Sequence, residues 1–270
     1  MPELPEVETS RRGIEPWIVG TRIDDVVVRD RRLRWPVARG IESKLRGRRV
    51  DAVERRAKYL LIVTDDGTAI VHLGMTGSVF IVDQDTPAGI HDHFDIRLDS
   101  GRALRFRDPR RFGSFFFSKR PLAHPLLADL GPEPLGEAFD GAYLWRLSRG
   151  RRVSVKPFIM NAKVVVGVGN IYASESLFLA GINPKRAAGR IARHRYDALA
   201  DAIKDVLGRA IVAGGTTLRD FYGGDGEPGY FKQQLEVYDR DGEHCRCCNT
   251  IIRSFVQGQR TTYYCKSCQT

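Results

Sequence analysis

Short runs of β-branched and aromatic residues, often alternating with polar ones, fill the first part of the chain. They predict strands over 21–29, 59–64, 68–73, 79–82, 94–98 and 102–107. Asp66-Gly67 and Ser100-Gly101 lie between pairs of these runs and read as hairpin turns. Several short strands at this spacing predict an antiparallel sandwich or barrel. Ahead of them, Pro5 suits the first turn of a helix, and Glu6 and Glu8 favour its positive end, so a helix is expected through about Gly13. Over 121–134 the pattern dissolves into a Pro- and Leu-rich connection. The period then changes, and helices are expected over 142–149, 156–161, 169–180 and 193–213. Ile171, Leu177, Phe178 and Leu179 give the third an apolar face, and Gly214-Gly215 ends the last. A Gly-rich loop over 222–229 leads into a cysteine-bearing tail. The fold class is α+β and multidomain: a β-sandwich with a flanking helix over 1–130, a helical domain over 131–225 and an appendage over 235–270.

Composition narrows the partner. Lys and Arg number 43 against 33 Asp and Glu, a net charge of +10. The excess recurs in local runs at Arg29 to Arg34, Arg46 to Arg49, Arg102 to Arg111 and Arg149 to Lys156. Nucleic acid fits best, because Arg clamps phosphates bidentately; a solvated basic face is the plainer alternative. No apolar run approaches a membrane span and no signal peptide is evident, so a soluble cytoplasmic protein is expected.

All five cysteines fall between Cys245 and Cys268. Cys245-x2-Cys248, sixteen residues, then Cys265-x2-Cys268 matches a four-cysteine zinc ribbon, in which the metal supplies a core that so short a segment lacks. Disulfides are the alternative, but a cytoplasmic setting and the doubled C-x2-C favour one structural Zn2+. Cys247 is left as a free thiol, because Cys248 keeps the spacing. No redox or organic cofactor is expected.

The chain opens Met1-Pro2-Glu3-Leu4-Pro5-Glu6. Residue 2 is small, so removal of the initiator Met is expected, leaving Pro2 with a free secondary amine. Terminal amines titrate near ~7.7–8.0, so a useful fraction is neutral and nucleophilic. Such an amine attacks a sugar aldehyde carbon to give an iminium, with Glu3 placed to move protons. Many chains begin Met-Pro, and acidic residues often open helices, so the other motifs decide.

Together these features resemble the formamidopyrimidine-DNA glycosylase family of base-excision repair, over essentially the whole chain. Ala57-Lys58-Tyr59-Leu60 resembles the segment carrying the family's lysine near the lesion, and His72-Leu73-Gly74-Met75-Thr76-Gly77 its DNA-inserting loop. Asp108-Pro109-Arg110-Arg111-Phe112-Gly113 matches its second insertion loop, and Val166-Gly167-Val168-Gly169-Asn170-Ile171-Tyr172 its helix–two-turn–helix signature. Gln259-Arg260 with Tyr264-Cys265 matches its zinc-finger arginine. The resemblance implies an N-terminal catalytic β-sandwich, a helix–two-turn–helix domain and a four-cysteine zinc finger with Cys245, Cys248, Cys265 and Cys268 as ligands. Damaged double-stranded DNA is the implied partner, bound by a monomer that joins the nucleoid during repair.

The motifs have physical readings of their own. A damaged base is reachable only if its nucleotide is extruded, at a cost of a few kcal/mol. Met75 and Phe112 are apolar wedges able to unstack a base step, and Arg110 can bond a base edge; ordinary core is the alternative for the two wedges. Gly167 and Gly169 let backbone approach phosphate, and Asn170 either donates to it, caps its helix, or both. Arg260 sits in a cysteine-held turn, as a phosphate clamp or merely solvated. By composition His91 is a possible metal ligand, yet few partners lie near it in sequence, which favours a phosphate contact. The resemblance agrees, puts Arg151 in a comparable role where relatives often carry Lys, and gives Lys156 a phosphate-binding role. It also implies that 218–230 is a cap over the flipped purine and that Glu6 shapes the base pocket.

The reaction implied is removal of oxidised purines, 8-oxoguanine and formamidopyrimidines, followed by β,δ-elimination through a Pro2 Schiff base. By resemblance Lys58 is the proton donor in β-elimination and Arg260 in δ-elimination, although an arginine with pKa above ~12 is a poor acid and suits charge stabilisation better. The endonuclease VIII branch uses the same chemistry on oxidised pyrimidines. Leu4 and Asp108-Pro109-Arg110-Arg111-Phe112 favour the purine branch. A non-catalytic zinc-ribbon DNA-binding protein would explain the charge and cysteines but leave Pro2, Glu3 and Lys58 idle.

Overall fold

Two four-stranded antiparallel sheets enclose one apolar core in the computed structural model, which describes residues 2–215 and 234–270. The expected cap at 218–230 lies outside the described residues. The first half runs α1 (Leu4–Ile18), β1 (Ile23–Val28), α2 (Ile41–Leu45), β2 (Val50–Arg56), β3 (Tyr59–Thr64), β4 (Gly67–His72), β5 (Ser78–Asp83), β6 (Asp92–Leu98), β7 (Arg102–Arg107) and β8 (Ser114–Ser118). The helical part follows as α3 (Gly141–Ser148), α4 (Val155–Ile159), α5 (Asn170–Leu179) and α6 (Arg193–Val212), and the tail folds as β9 (Arg253–Gln257) and β10 (Arg260–Tyr264). The fold is α+β.

One sheet has the order β1-β6-β7-β5 and the other β2-β3-β4-β8. Inward residues of both, among them Val26, Val53, Ile62, Val71, Ile96 and Leu104, form a single core with Val7, Ile14 and Ile18 of α1. Phe94 stacks on Phe106 at 4.8 Å and on Phe115 at 4.1 Å, joining three strands at its centre. The first helix runs past the expected end at Gly13. Ile14 and Ile18 continue the buried face of Val7, and their burial outweighs the backbone hydrogen bond lost at Pro16. Glu8 accepts Arg55 Nε at 3.1 Å and Arg11 donates to the Val53 carbonyl at 3.2 Å, fixing the helix against β2.

Contacts divide the described chain into two compact units, 2–128 with 213–215, and 129–212 with 234–270. In the second, the cysteine-bearing tail is anchored to the helices by two buried side chains. Glu175 of α5 accepts the backbone N–H groups of Glu236, Val237 and Tyr238 at 2.8–3.0 Å. Gln269 accepts the Cys265 N–H and donates to the Ile182 carbonyl, both at 2.9 Å. Burial pushes the Glu175 carboxyl above its ordinary range even though three N–H groups favour its anion.

Candidate functional site

In the first unit the N-terminal residues are built into the head of α1. Pro2, Glu3 and Glu6 are all buried, and the Glu6 carboxylate accepts the Glu3 N–H at 2.8 Å, as in a capping box. Gly215, with φ of 82°, lies so near that a Cβ there would fall 3.2 Å from Glu6 Cγ. Lys58 is half-buried in the two-residue loop joining β2 to β3, where Arg56 pairs with Tyr59. Its neighbour Ala57 has φ of 57°, a backbone state that favours glycine, so this turn is held by its surroundings against local preference.

The two loops singled out as wedges adjoin. Met75 and Phe112 are exposed by 40% and 39%, so the core alternative does not hold for either. The Arg110 guanidinium covers the Phe112 ring at 4.7 Å, and His91 is exposed just before β6. Gly74, with φ of 70°, brings the first loop against the second: a Cβ on it would lie 2.5 Å from the Phe112 carbonyl carbon. His72 Nδ1 accepts the Gly74 N–H at 3.0 Å. Burial, then the charges of Lys58 and Arg34, press the His72 imidazole down to about 4, so it is neutral near pH 7.

Beside these loops lies a buried ionic cluster. Arg105 grips Asp95 with two bonds of 2.9 Å and donates to the carbonyls of Pro87 and Thr86, while Asp92 accepts Arg107 and the Gly89 N–H at 2.7 Å each. Burial raises the Asp95 carboxyl, but the hydrogen bonds of Arg105 and Arg29 outweigh it and hold it below the ordinary range. The cluster fixes 86–92, the segment that contains His91.

In the second unit, Asn170 is the first residue of α5 and its side chain does not cap the helix. It is braced instead, accepting Lys156 Nζ at 2.7 Å and donating to the Thr261 carbonyl at 3.0 Å. Lys156 is buried and also donates to Thr262 Oγ1 at 2.9 Å, so it orients Asn170 and β10 together. Arg151 is exposed. Arg260 is exposed at the start of β10, just after a two-residue turn in which Gly258 and Gln259 both have positive φ.

The Sγ atoms of Cys245, Cys248, Cys265 and Cys268 lie within 4.8 Å of one another, and Cys247 is outside the group. The Cys245–Cys268 and Cys248–Cys265 pairs are 3.9 and 3.4 Å apart, close to the ~3.8 Å edge of a tetrahedron with metal–sulfur bonds of ~2.3 Å. The donor set fits a thiophilic ion.

Two family models match, the formamidopyrimidine-DNA glycosylase N-terminal domain over residues 1–115 and the formamidopyrimidine-DNA glycosylase H2TH domain over 130–222. The chain belongs to the formamidopyrimidine-DNA glycosylase family. It is 62% identical over 269 residues to the formamidopyrimidine-DNA glycosylase of Stutzerimonas stutzeri, covering 100% of both chains. A Lactococcus lactis FPG variant solved with Fapy-dG containing DNA superposes with a TM-score of 0.92 at 32% identity and full coverage of both chains. The Lactococcus lactis Fpg with abasic-site DNA gives 0.91 at 32% identity over 99% of each. As a formamidopyrimidine-DNA glycosylase family member the chain is a DNA-binding glycosylase/lyase of base-excision repair.

Three features of this family member escape sequence reasoning: the Ala57 turn, the Arg105 cluster and the buried carboxylate of Asp108. The Asp-Pro-Arg-Arg-Phe run marks Asp108 as part of a motif but carries no signal of its distant partners.

Proposed function

We propose that this chain excises oxidised purines, 8-oxoguanine and formamidopyrimidines, from duplex DNA and then cleaves the strand by β,δ-elimination through a Pro2 Schiff base. One observation carries this reading: the N-terminal Pro-Glu pair is buried in the head of α1 with Glu6 closing the cap, instead of trailing into solvent. That setting pre-orders an amine whose chemistry depends on its position.

The Pro2 nitrogen attacks C1′ of the flipped nucleotide, the glycosidic bond breaks, and the base leaves with a proton relayed by Glu3. The aminal so formed then loses its C1′–O4′ bond: the ring opens, O4′ takes up a proton, and the resulting Pro2–C1′ iminium acidifies the C2′ proton. Loss of that proton expels the 3′ phosphate with Lys58 as proton donor, and a second elimination expels the 5′ phosphate while Arg260 steadies its charge. Glu6 borders the base pocket. Met75 and Phe112 fill the vacated stack, Arg110 holds the orphaned base, and His91, Arg151 and Asn170 contact phosphates. Lys156 adds charge at that contact while orienting Asn170. The four cysteines hold one structural Zn2+, which keeps the turn bearing Arg260 folded. The protein acts as a cytoplasmic monomer of three parts, 1–130, 131–225 and 235–270.

Borohydride trapping on an 8-oxoguanine duplex tests the reading. Protein processed at Met1 is expected to give an adduct that mass spectrometry maps to Pro2, and Pro2→Gly is expected to lose most of it. A cross-link on another side chain, or none, overturns the Schiff base. Release of oxidised pyrimidines but not purines from a lesion panel overturns the substrate.

A further inference from the structure

Asp108 is fully buried, and its carboxylate joins parts of the chain that lie far apart in sequence. Oδ1 accepts Thr76 Oγ1 at 2.6 Å and the Arg110 N–H at 3.2 Å, while Oδ2 accepts the Gly113 N–H at 2.8 Å. Thr76 directly follows Met75, and Arg110 and Gly113 flank Phe112. The Asp108 backbone is tied as well: its N–H donates to the His91 carbonyl at 3.0 Å and its carbonyl meets His93 Nε2 at 2.6 Å. The loops also touch directly, because a Cβ on Gly74 would fall 2.6 Å from Gly113 N and one on Gly113 would fall 2.8 Å from the His72 carbonyl oxygen.

We infer that Asp108 is a positioning residue that clamps the Met75 loop and the Arg110–Phe112 loop into one rigid bracket, so that the two wedges enter the duplex as a unit. This rests on the proposed role of Met75 and Phe112 as wedges. A carboxylate serving only its own turn would bond Arg110 and Gly113; the bond to Thr76, 32 residues away, is the one that couples the loops. Wedges on a common bracket fail together. Once one is lost, the other gains little from its position.

The experiment is single-turnover excision from an 8-oxoguanine duplex by Met75→Ala, Phe112→Ala and the double variant, each in the wild-type and Thr76→Val backgrounds. Thr76→Val keeps the side-chain shape and removes only the coupling hydroxyl. In the wild-type background the double variant is expected to retain at least about threefold more activity than the product of the single losses predicts. In the Thr76→Val background that excess is expected to vanish. Simple multiplication in both backgrounds, or an excess that survives Thr76→Val, overturns the clamp. If neither single variant slows excision, the wedge reading itself falls and the clamp with it. Asp108→Asn gives a second measure, since its NH2 group would face the N–H of either Gly113 or Arg110. It is expected to weaken KM for the lesion duplex about tenfold while leaving cleavage of a single-stranded abasic oligonucleotide, which needs no wedge, within about twofold. Equal loss on both substrates points to a damaged fold and counts against the clamp.

Discussion

His72 carries a pH signature of its own. Its ring packs 4.7 Å from Tyr59, and because Nδ1 accepts the Gly74 N–H, the proton is assigned to Nε2. Burial and the positive charges of Lys58 and Arg34 set its folded pKa at about 4, against 6.5 in an unfolded chain. Above pH 6.5 both states are neutral and the site costs nothing. As pH falls below that value the unfolded chain takes up a proton that the folded protein refuses, and the loss is complete near pH 4. The difference is on the order of 3 kcal/mol of stability. Urea unfolding midpoints are expected to fall over this window more steeply in wild type than in His72→Asn, whose amide can still accept the Gly74 N–H. Equal slopes in the two proteins would show that His72 does not titrate as the geometry requires.

Elements show where local sequence was enough. The runs at 59–64, 94–98 and 102–107 alternate or are β-branched, and they pair as expected. The strand β2 was missed because Val50 and Val53 are its only buried residues and stand three apart, a spacing that does not read as a strand. Missing it hid the Ala57 turn that presents Lys58. The strand β8 is three consecutive phenylalanines between two serines, without hydrophobic alternation, and α2 is only five residues long. In the tail, cysteine spacing marked the cluster but not the hairpin of β9 and β10 between its halves. Lys156 and Thr262 are 106 residues apart, so their bond could not be read from either neighbourhood.

The ionic cluster of β6 and β7 depends on such pairing and is testable. Arg105→Met should leave buried Asp95 with only Arg29 and free the Thr86 and Pro87 carbonyls, costing about 3 kcal/mol. Hydrogen exchange over 86–92 is expected to rise with the fall in melting temperature; unchanged exchange there would deny the cluster its hold on the His91 segment. The four-cysteine group makes a parallel prediction. Its small core is Val237, Cys245, Ile252, Cys265 and Phe178, too little to fold the tail alone. A strong chelator or Cys248→Ser should therefore expose the β9–β10 hairpin to protease and weaken DNA binding at least about tenfold, with zinc restoring the chelated protein only. Full DNA affinity after metal removal would rule out a structural ion.

At the scale of the whole molecule the relevant quantity is charge. A net +10 spread through local arginine runs predicts that much of the affinity comes from counterion release, which has a measurable slope. The proposed phosphate contacts are His91 in the first unit, and Arg151, Asn170, Lys156 and Arg260 in the second. Arg151, Lys156 and Arg260 are the three cations among them, and the local arginine runs add more. Four to five effective contacts would give a slope of log K against log salt near about −4. Arg151→Ala should flatten it by about 0.9 and weaken damaged and undamaged duplex alike, because a phosphate contact carries no sequence information. Arg110→Ala should behave differently. Its guanidinium lies over Phe112 and is assigned to a base edge, so the slope should change little while discrimination between bases opposite the lesion drops by roughly 1–3 kcal/mol. Binding titrations at several salt concentrations, on duplexes with each opposite base, separate the two behaviours. A slope unchanged by Arg151→Ala but flattened by Arg110→Ala would reverse the assignment, placing Arg110 on the backbone and leaving the orphaned base to another side chain.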